Sequence, residues 1–404
     1  MGSYRLVCTG CGAEPDRPFS PFCPTCGSMT DIAYDLGQVQ LAASANPFTR
    51  FFDLLPVSDR ALLPAEAAYT PLVHARALGR RLKLSQLYLK NETVLPTGTT
   101  KYRMAAVALP YLYESGVRHF CTSSTGNSST AYAHQIGRLP GLKMSLFTSS
   151  DFRTRVNYTP GPQIDHYILL NGTFVDASDC AAAFARRHGH TGEQGFFNPG
   201  RREGLKLTFL EAAEQLEQPI DWYVQAVSSA MGVYGTFKGA KELWQLGKIS
   251  RLPQLLCVQQ QSCAPMVRAW QEDSEAILDR HIVLRPQGIA YAILRGDPSR
   301  AYPYMRSVVQ ASGGDFTAVS EAEIHAARQL VQELEGLEIC FAAAAAVAGV
   351  IQSAEAGRLA TDACVVINLT GSDRCGEPAP EDVHFLEQAD GEWRLLSPES
   401  VRYC

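Results

Sequence analysis

From about residue 85 the chain repeats one physical pattern, a short apolar run followed by a longer one. Leu87–Leu89, His119–Thr122 and Lys143–Phe147 have the length of strands, while Tyr102–Tyr113 and the stretch through Ala131–Ile136 have that of helices. Further pairs follow at Tyr223–Val227 with Thr236–Leu246 and at Leu255–Gln259 with Pro265–Gln271, and a last strand is predicted at Val365–Leu369. Parallel neighbours need a crossover between them, and a helix is the compact way to make one. The alternation therefore predicts an α/β fold with open, twisted parallel sheets flanked by helices. At 404 residues the chain has room for two or three domains.

Hydrophobic residues at 46% and charged residues at 19% are the balance of a globular enzyme. A formal net charge of −5 gives no general attraction to nucleic acid or to an anionic membrane. The chain opens without the charged, apolar and small-residue succession of a secretory leader. Its longest apolar run, the Ala-rich Phe341–Ile351, falls short of the roughly 20 residues that cross a bilayer. That run is expected to be a buried helix, and the protein is expected to be cytoplasmic, with no membrane or nucleic-acid partner.

The twelve cysteines sort by spacing. Cys8 and Cys11 form one C-x-x-C pair and Cys23 and Cys26 a second, with Gly12 and Gly27 following the pairs. Two turns presenting four thiolates have the geometry of a tetrahedral zinc ribbon, with disulfides as the rival use. A site closed by four thiolates leaves no open position, so the expected zinc is structural. The other eight cysteines are scattered in apolar segments and are expected to be buried, inert thiols in a reducing compartment. Residues 1–36 are thus expected to form the ribbon, followed by a linker containing Asn46-Pro47.

Ligands of an open parallel sheet gather beyond the carboxyl ends of its strands. Lys101 lies in such a place, after the turn Pro96-Thr97-Gly98 and at the start of an apolar helix. Partial burial lowers an amine's pKa, and such a lysine can form a Schiff base with an aldehyde cofactor; an ordinary solvated lysine is the alternative. After another strand, Ser123-Ser124-Thr125-Gly126-Asn127-Ser128-Ser129 suits either a carboxylate or phosphate, or a simple helix cap. Ser228-Ser229-Ala230-Met231-Gly232 is built of residues small enough, Met231 aside, for backbone amides to approach an anion, and Thr370-Gly371-Ser372 puts a hydroxyl at a further strand end.

The run Leu87-Tyr88-Leu89-Lys90-Asn91-Glu92 with Pro96-Thr97-Gly98-Thr99-Thr100-Lys101-Tyr102-Arg103 resembles the lysine motif of threonine synthases, among the fold type II pyridoxal-phosphate enzymes. Thr70-Pro71-Leu72, Ser124 to Asn127, Asn198 to Gly204, Gly232 to Glu242 and Leu369-Thr370-Gly371 are similar in the same order, over nearly the whole chain. The resemblance implies a tryptophan synthase β-like fold with two parallel-sheet domains: a large one from 37–104 and 200–404, and a small one from 105–199. It implies that Lys101 forms the Schiff base with pyridoxal 5′-phosphate and then moves the Cα proton. Asn127 would bond the ring hydroxyl, Ser228, Ser229, Ala230, Met231 and Gly232 would cradle the phosphate, and Thr370 would meet the pyridine nitrogen. Substrate contacts are implied at Thr100, Ser124, Thr125, Gly126, Ser128 and Arg201. The implied reaction takes an amino acid, expels a group such as phosphate from its β or γ carbon and adds water, in a homodimer.

The chain departs from that pattern at Thr100 and Tyr102, where phenylalanine and aspartate are usual, and at Ser228, Ala230 and Met231, in a loop usually rich in glycine. Ala67-Ala68-Tyr69 and Ile339 to Ala343 also differ. Asn198 to Gly204 and Trp222 to Val227 are similar to cysteate synthases too, which implies β-replacement on phosphoserine as a second course. Arg201 and Arg202 could then hold a phosphate or sulfonate through paired N–H donors, or else pair with Glu203 or Glu211. Arg153 and Arg155 are further candidates for an anion. Two readings without catalysis stand beside these: a cofactor-binding protein that has lost turnover, and a zinc-ribbon interaction scaffold.

Overall fold

The computed structural model describes residues 4–66, 68–373 and 381–396. Ala67, Cys375 and Cys404 lie outside the described residues. The amino-terminal segment is an antiparallel pair, β1 (Tyr4–Cys8) with β2 (Thr30–Tyr34). The chain continues through β3 (Leu72–His74), β4 (Gln86–Asn91), β5 (His119–Ser123), β6 (Lys143–Ser149), β7 (Ile164–Leu169) and β8 (Thr191–Gly192). It then forms β9 (Trp222–Ala226), β10 (Gln254–Gln260), β11 (Asp315–Val319), β12 (Cys364–Leu369), β13 (His384–Ala389) and β14 (Glu392–Leu395).

One sheet has the order β11-β10-β9-β12-β4-β3 and the other β14-β13-β7-β6-β5-β8. All pairings are parallel except at one edge of each sheet, where β3 runs against β4 and β14 against β13. The second exception follows from local chemistry. Asp390 and Gly391 both take positive φ, 53° and 79°, which is the backbone of a two-residue hairpin turn. This hairpin continues the β7 edge, so the expectation that residues 200–404 all belong to the larger unit fails for 384–395. An unpaired strand edge offers a row of N–H and C=O groups, and the hairpin satisfies them.

The inner strands of the first sheet are covered on both faces and therefore read as unbroken apolar runs; every residue of β12 is buried. The Ala-rich run forms the helix Phe341–Glu355, packed on that sheet. Among the described residues no helix is long and apolar enough to cross a membrane. Of the scattered cysteines, Cys121, Cys257, Cys263 and Cys364 are buried, while Cys180 and Cys340 are half-buried. Burial raises the Cys121, Cys263 and Cys364 thiols to about 11, which makes them inert.

A close helix crossing sets the geometry of the centre. The helices Lys101–Glu114 and Pro199–Glu214 approach so nearly that a Cβ on Gly204 would lie 2.4 Å from the Arg103 main-chain oxygen, and one on Gly200 2.9 Å from Ala108 Cα. Only glycine leaves that space free. The ribbon docks against the first of these helices and against the helix Tyr302–Ser312: Tyr111 Oη donates to Pro18 O (2.9 Å) and Met29 N to Tyr304 Oη (2.9 Å).

Candidate active site

Lys101 is the first residue of its helix, and the loop before it is tied to the end of β12. Thr99 bridges Gly371 in antiparallel fashion, Thr100 N donates to Thr370 O (2.9 Å) and Ser372 N to Gly98 O (3.0 Å). The lysine loop and Thr370 are therefore held side by side. Behind them lies a sealed ionic cluster. Arg103 Nε meets Glu92 at 2.8 Å, and its Nη2 reaches Glu211 at 2.8 Å and Thr70 Oγ1 at 2.9 Å. Lys90 pairs with the same Glu211 and donates to Thr70 O (2.7 Å) and Gln215 Oε1 (2.8 Å). Cations and carboxylates balance there, which is the condition for keeping charges out of water.

The Lys101 amine has different surroundings. Burial pulls it down to about 8, and the positive charge of Arg201 adds to that. It makes no hydrogen bond or ion pair to the described residues and borders a cavity of about 630 Å³. Two loops singled out by sequence open on the same cavity. Ser124, Thr125, Asn127 and Ser128 line one wall. Gly126 stands behind that wall at φ 124°, where a Cβ would strike Arg155 O at 2.5 Å. The Ser124 hydroxyl accepts from Gly126 N (3.1 Å) and Ser129 N (3.2 Å), so it also fastens the start of the helix Asn127–Ile136.

Ser228 through Gly232 line another wall, at the start of the helix Met231–Gln245. Ala230 sits there at φ 60° and ψ 21°, a left-handed conformation that costs a residue with a Cβ about 1–2 kcal/mol. Thr99, Thr100 and Thr370 complete the floor, and the buried Oγ1 atoms of Thr99 and Thr100 have no partner among the described residues. A low-pKa amine, two small-residue loops and orphan hydroxyls thus converge from separate parts of the chain.

The arginines call for a correction. Arg201 lines the cavity, but its partner is neither Glu203 nor Glu211: Glu193 fills its fork, and Nε also donates to Tyr132 Oη at 3.0 Å. Tyr132 Oη and Asn198 Nδ2 donate to Glu193 Oε1 at 2.8 Å each. Arg202 points away from the cavity into the ribbon interface, donating to Phe196 O and Thr30 O (2.6 Å each) and pairing with Asp31 at 3.1 Å. Helix periodicity explains this, because adjacent helical residues face different directions. Arg153 and Arg155 lie over the rings of Phe385 and Tyr291, each at 5.2 Å. Tyr102 turns from the cavity as well, donating to Glu66 Oε1 at 2.7 Å. Sequence reasoning missed Glu193, Arg295 and Arg300 on the cavity wall. They sit in loops where no periodicity signals direction.

At the ribbon, Cys8, Cys11, Cys23 and Cys26 bring their sulfurs within 4.8 Å of one another. Cys8 and Cys26 stand 3.4 Å apart and Cys11 and Cys23 3.7 Å, against about 3.8 Å between ligands of a tetrahedral ion with metal–sulfur bonds of about 2.3 Å. The Gly10 and Cys11 amides point at Cys8 Sγ (3.3 and 3.4 Å), and hydrogen bonds from Ser28 hold the Cys26 thiol down at about 6. Phe22, beside Cys23, packs on Phe197 of the cavity wall with ring centroids 4.7 Å apart.

Residues 65–371 match the family model described as "Pyridoxal-phosphate dependent enzyme". The threonine synthase of Methanosarcina acetivorans is 28% identical over 95% of this chain and 97% of its own length. The cysteate synthase of the same organism is 28% identical over 92% of each. Among solved structures, the processed form of threonine deaminase isoform 2 from Solanum lycopersicum shares the fold at a TM-score of 0.60 and 17% identity, over 84% of this chain and 94% of that one.

Proposed function

Because the chain belongs to the family of pyridoxal-phosphate dependent enzymes, we propose that it holds the cofactor on Lys101 and catalyses elimination or replacement at the β or γ carbon of an amino acid. The observation that carries this is the free, low-pKa amine of Lys101 in a cavity bordered by two small-residue loops at helix starts. The residues present suit the group. Ser228 to Gly232 offer amides and hydroxyls for its phosphate, Asn127 a donor for its ring hydroxyl, and Thr370 a neutral hydroxyl for its ring nitrogen. When bound, the cofactor supplies an electron sink for the Cα–H bond.

The chain's own groups do the rest. Thr100, Thr125, Ser128 and the amides near Ser124 and Gly126 hold the substrate carboxylate, which fixes the Cα–H bond toward Lys101. The Lys101 amine, neutral above about pH 8, accepts the Cα proton and later returns it. Arg201, held in place by Glu193, adds its charge to the burial that lowers the pKa of Lys101 and shapes the cavity wall. The leading course follows the threonine synthases: a phosphorylated amino acid and water give a hydroxy amino acid and phosphate. β-Replacement on phosphoserine is the second course, supported by equal similarity to a cysteate synthase. Cys340 and Ala342 line the cavity where the family pattern differs, which supports a substrate distinct from either.

The ribbon is proposed to carry one structural zinc on Cys8, Cys11, Cys23 and Cys26, and the chain to act as a homodimer with a small domain of 105–199 extended by the 384–395 hairpin. The decisive experiment incubates the purified protein with phosphohomoserine, phosphoserine and phosphothreonine, with and without sulfite or a thiol, following phosphate release and product mass. Threonine formed from phosphohomoserine alone supports the leading course, and cysteate from phosphoserine and sulfite supports the second. A bound cofactor with no release from any substrate would require a leaving group other than phosphate.

A further inference from the structure

Two arginines on the cavity wall carry charge that no carboxylate answers by direct contact. Arg295 and Arg300 lie between the helices Pro265–Gln271 and Tyr302–Ser312, and both border the cavity. Among the described residues neither forms an ion pair. Arg295 Nε donates to the main-chain oxygen of Asp297 at 3.1 Å, and the Arg300 guanidinium lies over the rings of Phe22 and Phe197 at 4.7 and 4.8 Å. Arg201 differs on this point, since Glu193 occupies its donors. Arg295 and Arg300 are both exposed where they border the cavity; crowding by the surrounding protein still lowers the pKa of Arg295, the nearby Asp297 carboxylate opposes that, and the charge of Arg300 adds to it. Like charges brought together beside one carboxylate leave a positive excess, which an anion in the cavity would relieve.

We propose that Arg295 and Arg300 bind the anionic end of the substrate side chain, a tetrahedral oxyanion such as a phosphate or sulfonate. This rests on the reading that the cavity turns over amino acids. Two guanidinium forks present more donors than one carboxylate accepts, and their combined charge matches a dianion. The substrate is then held at both ends, its carboxylate by the loop at Ser124 to Ser128 and its oxyanion by the loop at Arg295 to Arg300. The pair takes over the role that sequence had assigned to Arg201 and Arg202. Phe22 of the ribbon, stacked on Arg300 from outside the cavity lining, supports that guanidinium.

Calorimetric titration of the holoenzyme with phosphoserine, serine and inorganic phosphate tests this, using wild type, R295Q, R300Q and the double variant. Wild type is expected to bind phosphoserine more tightly than serine, with an affinity that falls as salt rises. Each single variant should weaken phosphoserine about tenfold or more and leave serine unchanged. Inorganic phosphate bound by wild type and lost in the double variant supports the same site with a free oxyanion as its occupant. Equal affinity for serine and phosphoserine, or a double variant that binds phosphoserine like wild type, overturns the proposal. Loss of cofactor from folded variants overturns it as well, since the arginines would then serve the cofactor phosphate. Absence of cofactor from wild type, with oxyanion binding intact, would sink the pyridoxal-phosphate reading and leave this one standing.

Discussion

Lys90, near the end of β4, and Lys101, at the start of the next helix, flank one turn, and burial pulls both amines down to about 8. Lys90 is sealed from solvent and donates to Glu211, Thr70 O and Gln215. Lys101 has no such partner and looks into a cavity. A depressed pKa therefore does not mark a nucleophile by itself. Access and an unoccupied lone pair separate the reactive amine from the structural one, and here those properties come from opposite sides of the same motif.

The largest expected effect breaks the pair apart. Lys101→Ala should remove the absorbance band of bound cofactor and lower turnover about a thousandfold or more, with the fold retained. Lys90→Ala should leave the Glu211 carboxylate buried without one of its cations and cost about 3–5 kcal/mol in denaturant unfolding. A folded Lys90→Ala protein that lost the cofactor band would erase the distinction. Next in size is metal removal. If the four thiolates hold the proposed zinc, stripping it with a chelator should lower the thermal midpoint by about 5 °C or more, read by calorimetry, because the ribbon's strand β2 supplies Asp31 to the buried ion pair with Arg202.

The pH profile sharpens the comparison further. Cofactor uptake by apoprotein needs the neutral Lys101 amine, so its rate should rise with pH through about 8 and level off above. Arg201→Gln removes a positive charge that disfavours the ammonium form and leaves Glu193, which favours it. The Lys101 pKa then rises, and the profile should move to higher pH by about 1. The smallest effect leaves both lysines alone. Ala230→Gly removes about 1–2 kcal/mol of left-handed strain, offset by about 0.4–1 kcal/mol of unfolded-state entropy. Unfolding should show a net gain of about 0.5–1 kcal/mol, with cofactor affinity unchanged.

Much of this was legible along the chain. The predicted strands at Leu87–Leu89, Lys143–Phe147 and Leu255–Gln259 lie within the observed β4, β6 and β10, and the helix Pro265–Gln271 has the predicted bounds. Buried parallel strands advertise themselves by continuous apolar runs, and helix starts by small polar residues. The antiparallel edges carry little periodic signal because β3 is short and half-buried and β14 is short and mostly exposed. Arg202 flanks Arg201, which does line the cavity, yet one step along a helix turns a side chain about 100° and carries Arg202 to the ribbon instead.

The sequence by itself determined the alternating architecture, the four-thiolate cluster and the lysine at a strand end, since each depends on spacing within a few residues. Only the tertiary structure decided which charges are satisfied. Glu193 reaches Arg201 from eight residues away across a turn, while Arg295 and Arg300 reach the cavity wall from irregular chain with no carboxylate in contact. Electrostatic pairing depends on distance in space, and no local pattern of residues encodes that distance.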